Sequence, residues 1–224
     1  MDRDDPFRPD QQCYAHFVVA APSIPKLAPS DREQRFLVSN VAWRDYVILR
    51  EALDTPGLRM TYLEGALELM SPSRAHERNK KAIARLIETC AFLLRLPLNG
   101  YGSTTFRSEA KKRGVEPDEC WVRDKELLEG EYPQIVLEVI ETSPLLDKLA
   151  VYDGFGVDEV WIFEDGAFSL HHRKKNGGYT RESRSALLPE IDFALVTNLA
   201  GERDQQTALE AHERALKTKP KRRR

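Results

Sequence analysis

Two acidic residues lie in or beside strand-like sequence. Asp118 follows Pro117 at the start of one predicted strand, and Glu138 sits inside the apolar run Ile135–Ile140. A buried carboxylate needs an ion pair, a hydrogen bond or a metal, because otherwise burial is costly or neutralises it. Two carboxylates on neighbouring strands can hold Mg²⁺, with waters and a phosphate completing its shell. The pair therefore indicates metal-dependent hydrolysis of a phosphodiester bond.

Each acid also has a purely structural interpretation. Asp118 could be a turn or cap residue after its proline. With a period of two, Val136 and Ile140 share the face of Glu138, so its surroundings are apolar. A buried salt bridge to an arginine or lysine is therefore the alternative for Glu138.

Two residues of the next predicted helix could serve the same site. Lys148 follows Glu138 by ten positions, and Tyr152 lies one helical turn further on the same face. An ammonium near the strand acids could orient the attacking water or stabilise charge in the transition state. Alternatively, Lys148 is an ordinary exposed lysine beside Asp147, and Tyr152 packs in the core.

Other charged residues are weaker candidates. Glu77 at the start of a long helix, or Glu64 in a hairpin turn, could supply a third carboxylate. An acid in the first turn of a helix also simply stabilises the helix dipole. A set of basic residues could line a phosphate groove or form a solvated surface: Lys80, Lys81, Arg85, Arg107, Lys111, Lys112 and Arg113.

Hydrophobic periodicity places these candidates on helices and strands. The order is helix, hairpin, helix, three strands, helix and strands, which predicts an α/β or α+β fold with a sheet between helices. The predicted helices are one capped by Ser39 or Asn40 and ended by Pro56, and those over 75–96 and 144–155; the predicted strands are 60–63, 66–70, 101–107, 118–122, 134–140, 157–163, 167–173 and 179–182.

The length of 224 residues suits one domain with terminal extensions. We predict a loosely ordered, proline-rich leader over 1–35, a folded domain over 36–200 and a basic tail over 201–224. The net charge of −2 does not indicate nucleic-acid binding by the whole surface, so a local basic patch would be required. Three widely spaced cysteines fit a reducing cytoplasm. No apolar run reaches the ~18 residues of a membrane helix.

Many short stretches, in order, resemble the Uma-two family of restriction-endonuclease-like proteins. The resemblance covers roughly residues 37–200. The matching stretches are Glu64-Gly65-Ala66-Leu67, Met70-Ser71-Pro72, His76-Glu77, Gly102-Ser103-Thr104-Thr105-Phe106-Arg107, Glu116-Pro117-Asp118-Glu119-Cys120, Leu137-Glu138-Val139, Thr142-Ser143, Asp147-Lys148-Leu149, Tyr152, Gly156-Val157, Val160-Trp161 and Leu187-Leu188-Pro189.

The resemblance implies the restriction-endonuclease-like fold of the PD-(D/E)XK superfamily, a mixed central β-sheet flanked by helices. It implies that Asp118 and Glu138 bind the metal and that Glu77 is the acid of the first core helix. The sequence departs from the superfamily motif two positions after Glu138, where Ile140 replaces the lysine. By the pattern of the family, Lys148 takes that role.

The first hypothesis is therefore an endonuclease that hydrolyses DNA with Mg²⁺ or Mn²⁺. A homodimer is plausible, because cutting both strands needs two sites. The alternative is a non-catalytic nucleic-acid-binding or regulatory module on the same fold, and a hydrolase of another polymer is more distant. In the first hypothesis Asp118, Glu138, Lys148 and Glu77 are catalytic, and Lys80, Arg107 and Tyr152 contact the substrate.

Overall fold

A computed structural model describes residues 32–55 and 57–218 of the chain. Five helices and eleven strands lie within these ranges, and the strands form two sheets. The helices are α1 (Trp43–Ala52), α2 (Arg74–Leu94), α3 (Lys148–Phe155), α4 (Phe193–Ala200) and α5 (Gln205–Thr218). The strands are β1 (Gln34–Val38), β2 (Arg59–Leu63), β3 (Ala66–Ser71), β4 (Leu98–Gly100), β5 (Phe106–Ser108), β6 (Arg113–Val115), β7 (Glu119–Arg123), β8 (Ile135–Ile140), β9 (Glu159–Glu164), β10 (Ala167–Arg173) and β11 (Tyr179–Glu182).

The first sheet is antiparallel and has the order β1-β3-β2-β6-β5. Its centre is the hairpin of β2 and β3, which turns at Glu64 and Gly65. Both turn residues have positive φ, 49° and 96°, as a tight two-residue hairpin of this kind requires. The hairpin therefore confirms the turn predicted from Glu64-Gly65.

The second sheet is mixed and has the order β11-β10-β9-β8-β7-β4. Strands β8 and β9 are parallel, and α3 lies between them in the chain, as a parallel connection requires. Leu137 and Val139 of β8 pack in one core with α2 and α4. Val136, on the opposite face, packs with Val151 and Phe155 of α3. Helices thus cover both faces of this sheet, and the predicted α+β fold is confirmed.

Helix α2 supports one face of the mixed sheet along its whole length. Its N-cap is Ser73, whose side chain accepts a hydrogen bond from the backbone N–H of His76 at 3.0 Å. The predicted apolar stripe is buried, with Ile83, Leu86 and Ile87 at most 1% exposed. This cap fixes which side chains of the first turn point towards the sheet.

Several predicted boundaries are wrong. Helix α1 begins at Trp43 with Ala42 as its N-cap, so neither Ser39 nor Asn40 caps it. The strand predicted over 101–107 is only Phe106–Ser108, and Leu98–Gly100 forms a separate strand. These segments are short and pair at sheet edges, where local propensity is a weak guide.

The predicted ends of the domain also differ. Gln34–Val38 forms an edge strand, although residues up to 35 were expected in the leader; residues 1–31 lie outside the described part of the chain. The tail predicted over 201–224 is wrong for Gln205–Thr218, which is helix α5. Its Ala208 and His212 are buried, and the helix packs against α2 and α4. Because these side chains have helical spacing and face the core, the segment packs as a helix despite the basic residues at the end of the chain.

None of the helices described is both long and apolar enough to cross a membrane.

Candidate active site

Asp118 lies where the chain enters β7, and its carboxylate is held from two directions. Oδ2 accepts the backbone N–H of Val139 at 2.7 Å, and Oδ1 lies 2.8 Å from Nε2 of His76. Asp118 is 1% exposed. Burial alone would raise its pKa, but the hydrogen bond and charge of His76, with the N–H of Val139, hold the pKa below its usual value. Asp118 is therefore a buried, ionised carboxylate.

His76 bridges two carboxylates. Its Nε2 contacts Asp118, and its Nδ1 forms an ion pair with Oε2 of Glu33 at 2.9 Å, without the alignment of a regular hydrogen bond. Burial lowers the pKa of His76, but its contacts with Asp118 and Glu33 outweigh burial and raise the pKa to about 9. The imidazole is thus charged at neutral pH and neutralises part of the buried negative charge.

Glu138 lies on β8, beside Asp118, and faces α3. Its Oε1 lies 3.3 Å from Nζ of Lys148 and accepts a short hydrogen bond from the hydroxyl of Tyr152. Burial raises the pKa of Glu138; the Lys148 ammonium opposes this, and the negative charge of Asp118 adds to it. Burial and the neighbouring Glu138 also raise the pKa of Tyr152 well above its usual value. The tyrosine therefore stays protonated as a donor.

Helix α3 explains how Lys148 reaches a strand ten positions earlier. Asp147 caps the helix by accepting the N–H of Ala150 at 3.0 Å, so the helix begins at Lys148. Lys148 and Tyr152 are separated by one turn and share one face. Both contact the same carboxylate oxygen, and both are buried. The structure thus brings together Asp118, Glu138, Lys148 and Tyr152.

Glu77, the predicted acid of the first core helix, has other partners. Its carboxylate pairs with Lys80 at 2.7 Å and with Arg59 at 3.4 Å, and its side chain is 41% exposed. Burial would raise the pKa of Glu77, but Lys80 and Arg59 hold it below its usual value. The residue of this helix that contacts Asp118 is its neighbour, His76.

The predicted substrate contacts are dispersed. Lys80 is 5% exposed and already engaged by Glu77. Arg107 lies on β5 with a half-exposed side chain, 3.8 Å from Glu51. Tyr152 is 1% exposed and donates its hydroxyl hydrogen to Glu138. Of these three residues, Arg107 is the one that offers a charge to the surface.

Sequence reasoning missed two members of this cluster. One is His76, for which the available signal is its position as the third residue of α2, three after the cap Ser73. The other is Glu33, which lies within the predicted leader. It carries no local signal, because its contacts with His76 and with the backbone N–H of Thr142 are long-range.

The carboxylates suit a hard divalent cation. The hydrogen bonds that Glu138 accepts in the described part of the chain go to Oε1, and none of them uses Oε2. Each carboxylate oxygen of Asp118 has a further lone pair beyond its one contact. No group of three or more metal-binding side chains occurs among residues 32–55 and 57–218. An ion held by these two acids would therefore take its other ligands from water and phosphate, as Mg²⁺ commonly does.

Comparison with known proteins places the chain in a family. Residues 43–199 match the Uma2 family, described as "Putative restriction endonuclease". A solved structure of a "putative nuclease belonging to DUF820" from Anabaena variabilis is similar at 12% identity and a TM-score of 0.42, covering 73% of this chain and 98% of that one. No curated protein matches. The matched region includes both acids, Lys148 and most of the two sheets, and the chain belongs to the Uma2 family, which the sequence resemblance had predicted.

Proposed function

We propose that this protein is an endonuclease that hydrolyses phosphodiester bonds of DNA with a divalent metal, Mg²⁺ or Mn²⁺. The observation that carries the proposal is a pair of neighbouring buried contacts. Asp118 accepts the backbone N–H of Val139, the residue after Glu138, and Glu138 contacts the buried Lys148 of α3. Membership of a family described as "Putative restriction endonuclease" supports it. When bound, such an ion lowers the pKa of a water ligand and polarises the scissile phosphate.

In this proposal Asp118 and Glu138 hold the ion, and Lys148 acts on the substrate. The Lys148 ammonium orients the attacking water or stabilises negative charge on the phosphoryl oxygens. Its ion pair with Glu138, 3.3 Å between Nζ and Oε1, holds it beside that acid. Tyr152 orients Glu138 by donating its hydroxyl hydrogen to Oε1.

The surrounding charges would serve DNA binding. Arg107 contributes a partly exposed cation on β5. Lys80 and Glu77 of α2 form an ion pair, so each neutralises the charge of the other. Glu77 would be an outer acid of the site. A homodimer and a cytoplasmic location belong to the same proposal. Two sites are needed to cut both strands, and three widely spaced cysteines fit a reducing cytoplasm.

A second candidate function is a non-catalytic module that binds nucleic acid. One observation favours it: His76 and Lys148 already provide cations to Asp118 and Glu138, so the acids are compensated without a metal. This candidate predicts binding of DNA with no turnover and no requirement for a metal.

A cleavage assay separates the two functions. Wild-type protein is incubated with plasmid, single-stranded DNA and RNA, each with Mg²⁺, with Mn²⁺ or with EDTA. The endonuclease proposal expects metal-dependent cleavage of DNA that Asp118→Asn abolishes. A matched control is Glu119→Gln, since Glu119 is the next residue, is also buried and faces Lys81 of α2 at 3.8 Å. Cleavage that persists in Asp118→Asn would refute the proposal.

A further inference from the structure

We propose that His76, held by Glu33, is a positioning residue that fixes the Asp118 carboxylate for the metal ion. This inference rests on the proposed function and adds two residues to it. Neither was among the site residues expected from the sequence. The physical basis is a continuous buried chain of charged groups from Glu33, beside the edge strand β1, through His76 to Asp118.

The chain begins at Glu33, immediately before β1. Its carboxylate accepts from Nε of Arg35 at 2.9 Å and from the backbone N–H of Thr142 at 3.1 Å, and it pairs with His76 at 2.9 Å. The side chain of Glu33 is fully buried, and that of Arg35 is 4% exposed. With three separate partners, Glu33 has little freedom to move, and it fixes the imidazole in turn.

His76 transmits this constraint to Asp118. Its two ring nitrogens are both occupied by carboxylates, so rotation of the ring would break two contacts at once. The Asp118 carboxylate is then clamped between Nε2 of His76 on Oδ1 and the N–H of Val139 on Oδ2. These two contacts fix the plane of the carboxylate and therefore the directions of its remaining lone pairs. Groups that orient a metal ligand in this way typically contribute about 10–100-fold to metal affinity.

The chain offers a matched control in Glu68. This glutamate is 1% exposed, binds the same Arg35 through a 2.7 Å ion pair and also accepts the backbone N–H of Leu145. No described hydrogen bond or ion pair joins it to His76. Glu68→Gln therefore removes a comparable buried charge from the same network without releasing Asp118.

The test measures Mn²⁺ affinity by calorimetry in the wild type, Glu33→Gln, Glu68→Gln and Asp118→Asn, with melting temperature recorded for each. We expect Glu33→Gln to weaken Mn²⁺ binding about 10-fold. Glu68→Gln should stay within about two-fold of the wild type, although both glutamine variants melt at lower temperature. In the cleavage assay, Glu33→Gln should lower kcat and leave KM for DNA unchanged.

A second variant secures the test if Glu33→Gln does not fold. His76→Gln keeps an amide donor near Asp118 but loses the pair with Glu33, and it should weaken Mn²⁺ binding to a similar extent. Equal Mn²⁺ affinities in Glu33→Gln, His76→Gln and Glu68→Gln, with loss only in Asp118→Asn, would overturn the inference and leave the proposed function intact. Absence of Mn²⁺ binding by the wild type would instead overturn the metal assignment itself.

Discussion

The Lys148 ammonium lies 3.3 Å from the Glu138 carboxylate, although one residue starts a helix and the other lies within a strand. Two positions after Glu138 the strand carries Ile140, so the lysine that contacts this acid comes from helix α3. This contact makes Lys148 the residue whose removal tests the proposed chemistry most specifically.

Replacing Lys148 by glutamine should lower kcat for DNA cleavage on the order of 10²-fold, as expected when one group that stabilises transition-state charge is removed. KM should change little, because Glu138 and the surface cations remain. A suitable control is Lys125→Gln. Lys125 also pairs with a glutamate, Glu131 at 3.1 Å, but lies in the connector before β8. Comparable losses in both variants would contradict a catalytic role for Lys148.

The hydroxyl of Tyr152 should matter more for stability than an ordinary tyrosine hydroxyl. Tyr152→Phe removes a hydrogen bond to the buried carboxylate of Glu138 and should lower the free energy of unfolding by about 1.5–3 kcal/mol. Tyr179→Phe removes a bond of 2.7 Å to the neutral carbonyl of Val157 and should cost only about 0.5–1.5 kcal/mol. Urea denaturation of both variants checks the order, and a reversed order would count against a charged Glu138.

Gly114 should not tolerate a side chain. A Cβ atom there would lie 2.1 Å from the hydroxyl of Tyr46, whose ring stacks on Tyr62 at 4.8 Å. Gly114→Ala should therefore lower the free energy of unfolding by about 1–3 kcal/mol. Gly201→Ala is the matched control, because Gly201 has φ −74° and only a distant neighbour, 3.7 Å away. Thermal melts that show no difference between the two variants would refute the predicted clash.

Tyr46 should make stability depend on pH in the alkaline range. Burial, with the charge of Glu116, raises its pKa to about 12. In the unfolded chain a tyrosine ionises near pH 10. The unfolded state thus loses its proton first, so this contribution is fully present below about pH 10 and disappears as the pH rises towards 12.

The expected loss is at most about 3 kcal/mol, from the two-unit difference in pKa. It is measured as the difference in unfolding free energy between wild type and Tyr46→Phe at pH 8 and at pH 11. The wild type should lose stability relative to Tyr46→Phe at the higher pH. A difference that does not change with pH would show that Tyr46 titrates normally in the folded protein.

Local patterns were sufficient for the part of the site built from β8 and α3. The apolar run around Glu138 predicted a buried strand, and one helical turn places Lys148 and Tyr152 on one face.

The first turn of α2 could not be resolved by local patterns. Neighbouring residues on a helix differ by about 100° in direction, so His76 and Glu77 cannot both face the sheet. Tertiary packing determines that His76, and not Glu77, faces the sheet.

The remaining features depend on contacts between distant segments. Glu33 reaches His76 and Thr142 across 43 and 109 positions of the chain. Helix α5 packs on α2 and α4, although the sequence predicts a basic tail in this region. The contacts of Glu33 have no local periodicity from which to infer them, and the helical spacing within α5 does not indicate which helices it packs against.

Titration of Mn²⁺ into the wild type, Asp118→Ala and Glu119→Gln tests the central claim most directly. If Asp118 and Glu138 hold the ion, the wild type and Glu119→Gln bind Mn²⁺ with similar affinity and Asp118→Ala loses the binding. Equal binding by all three proteins, or no binding by any of them even with uncleaved DNA present, would contradict the account.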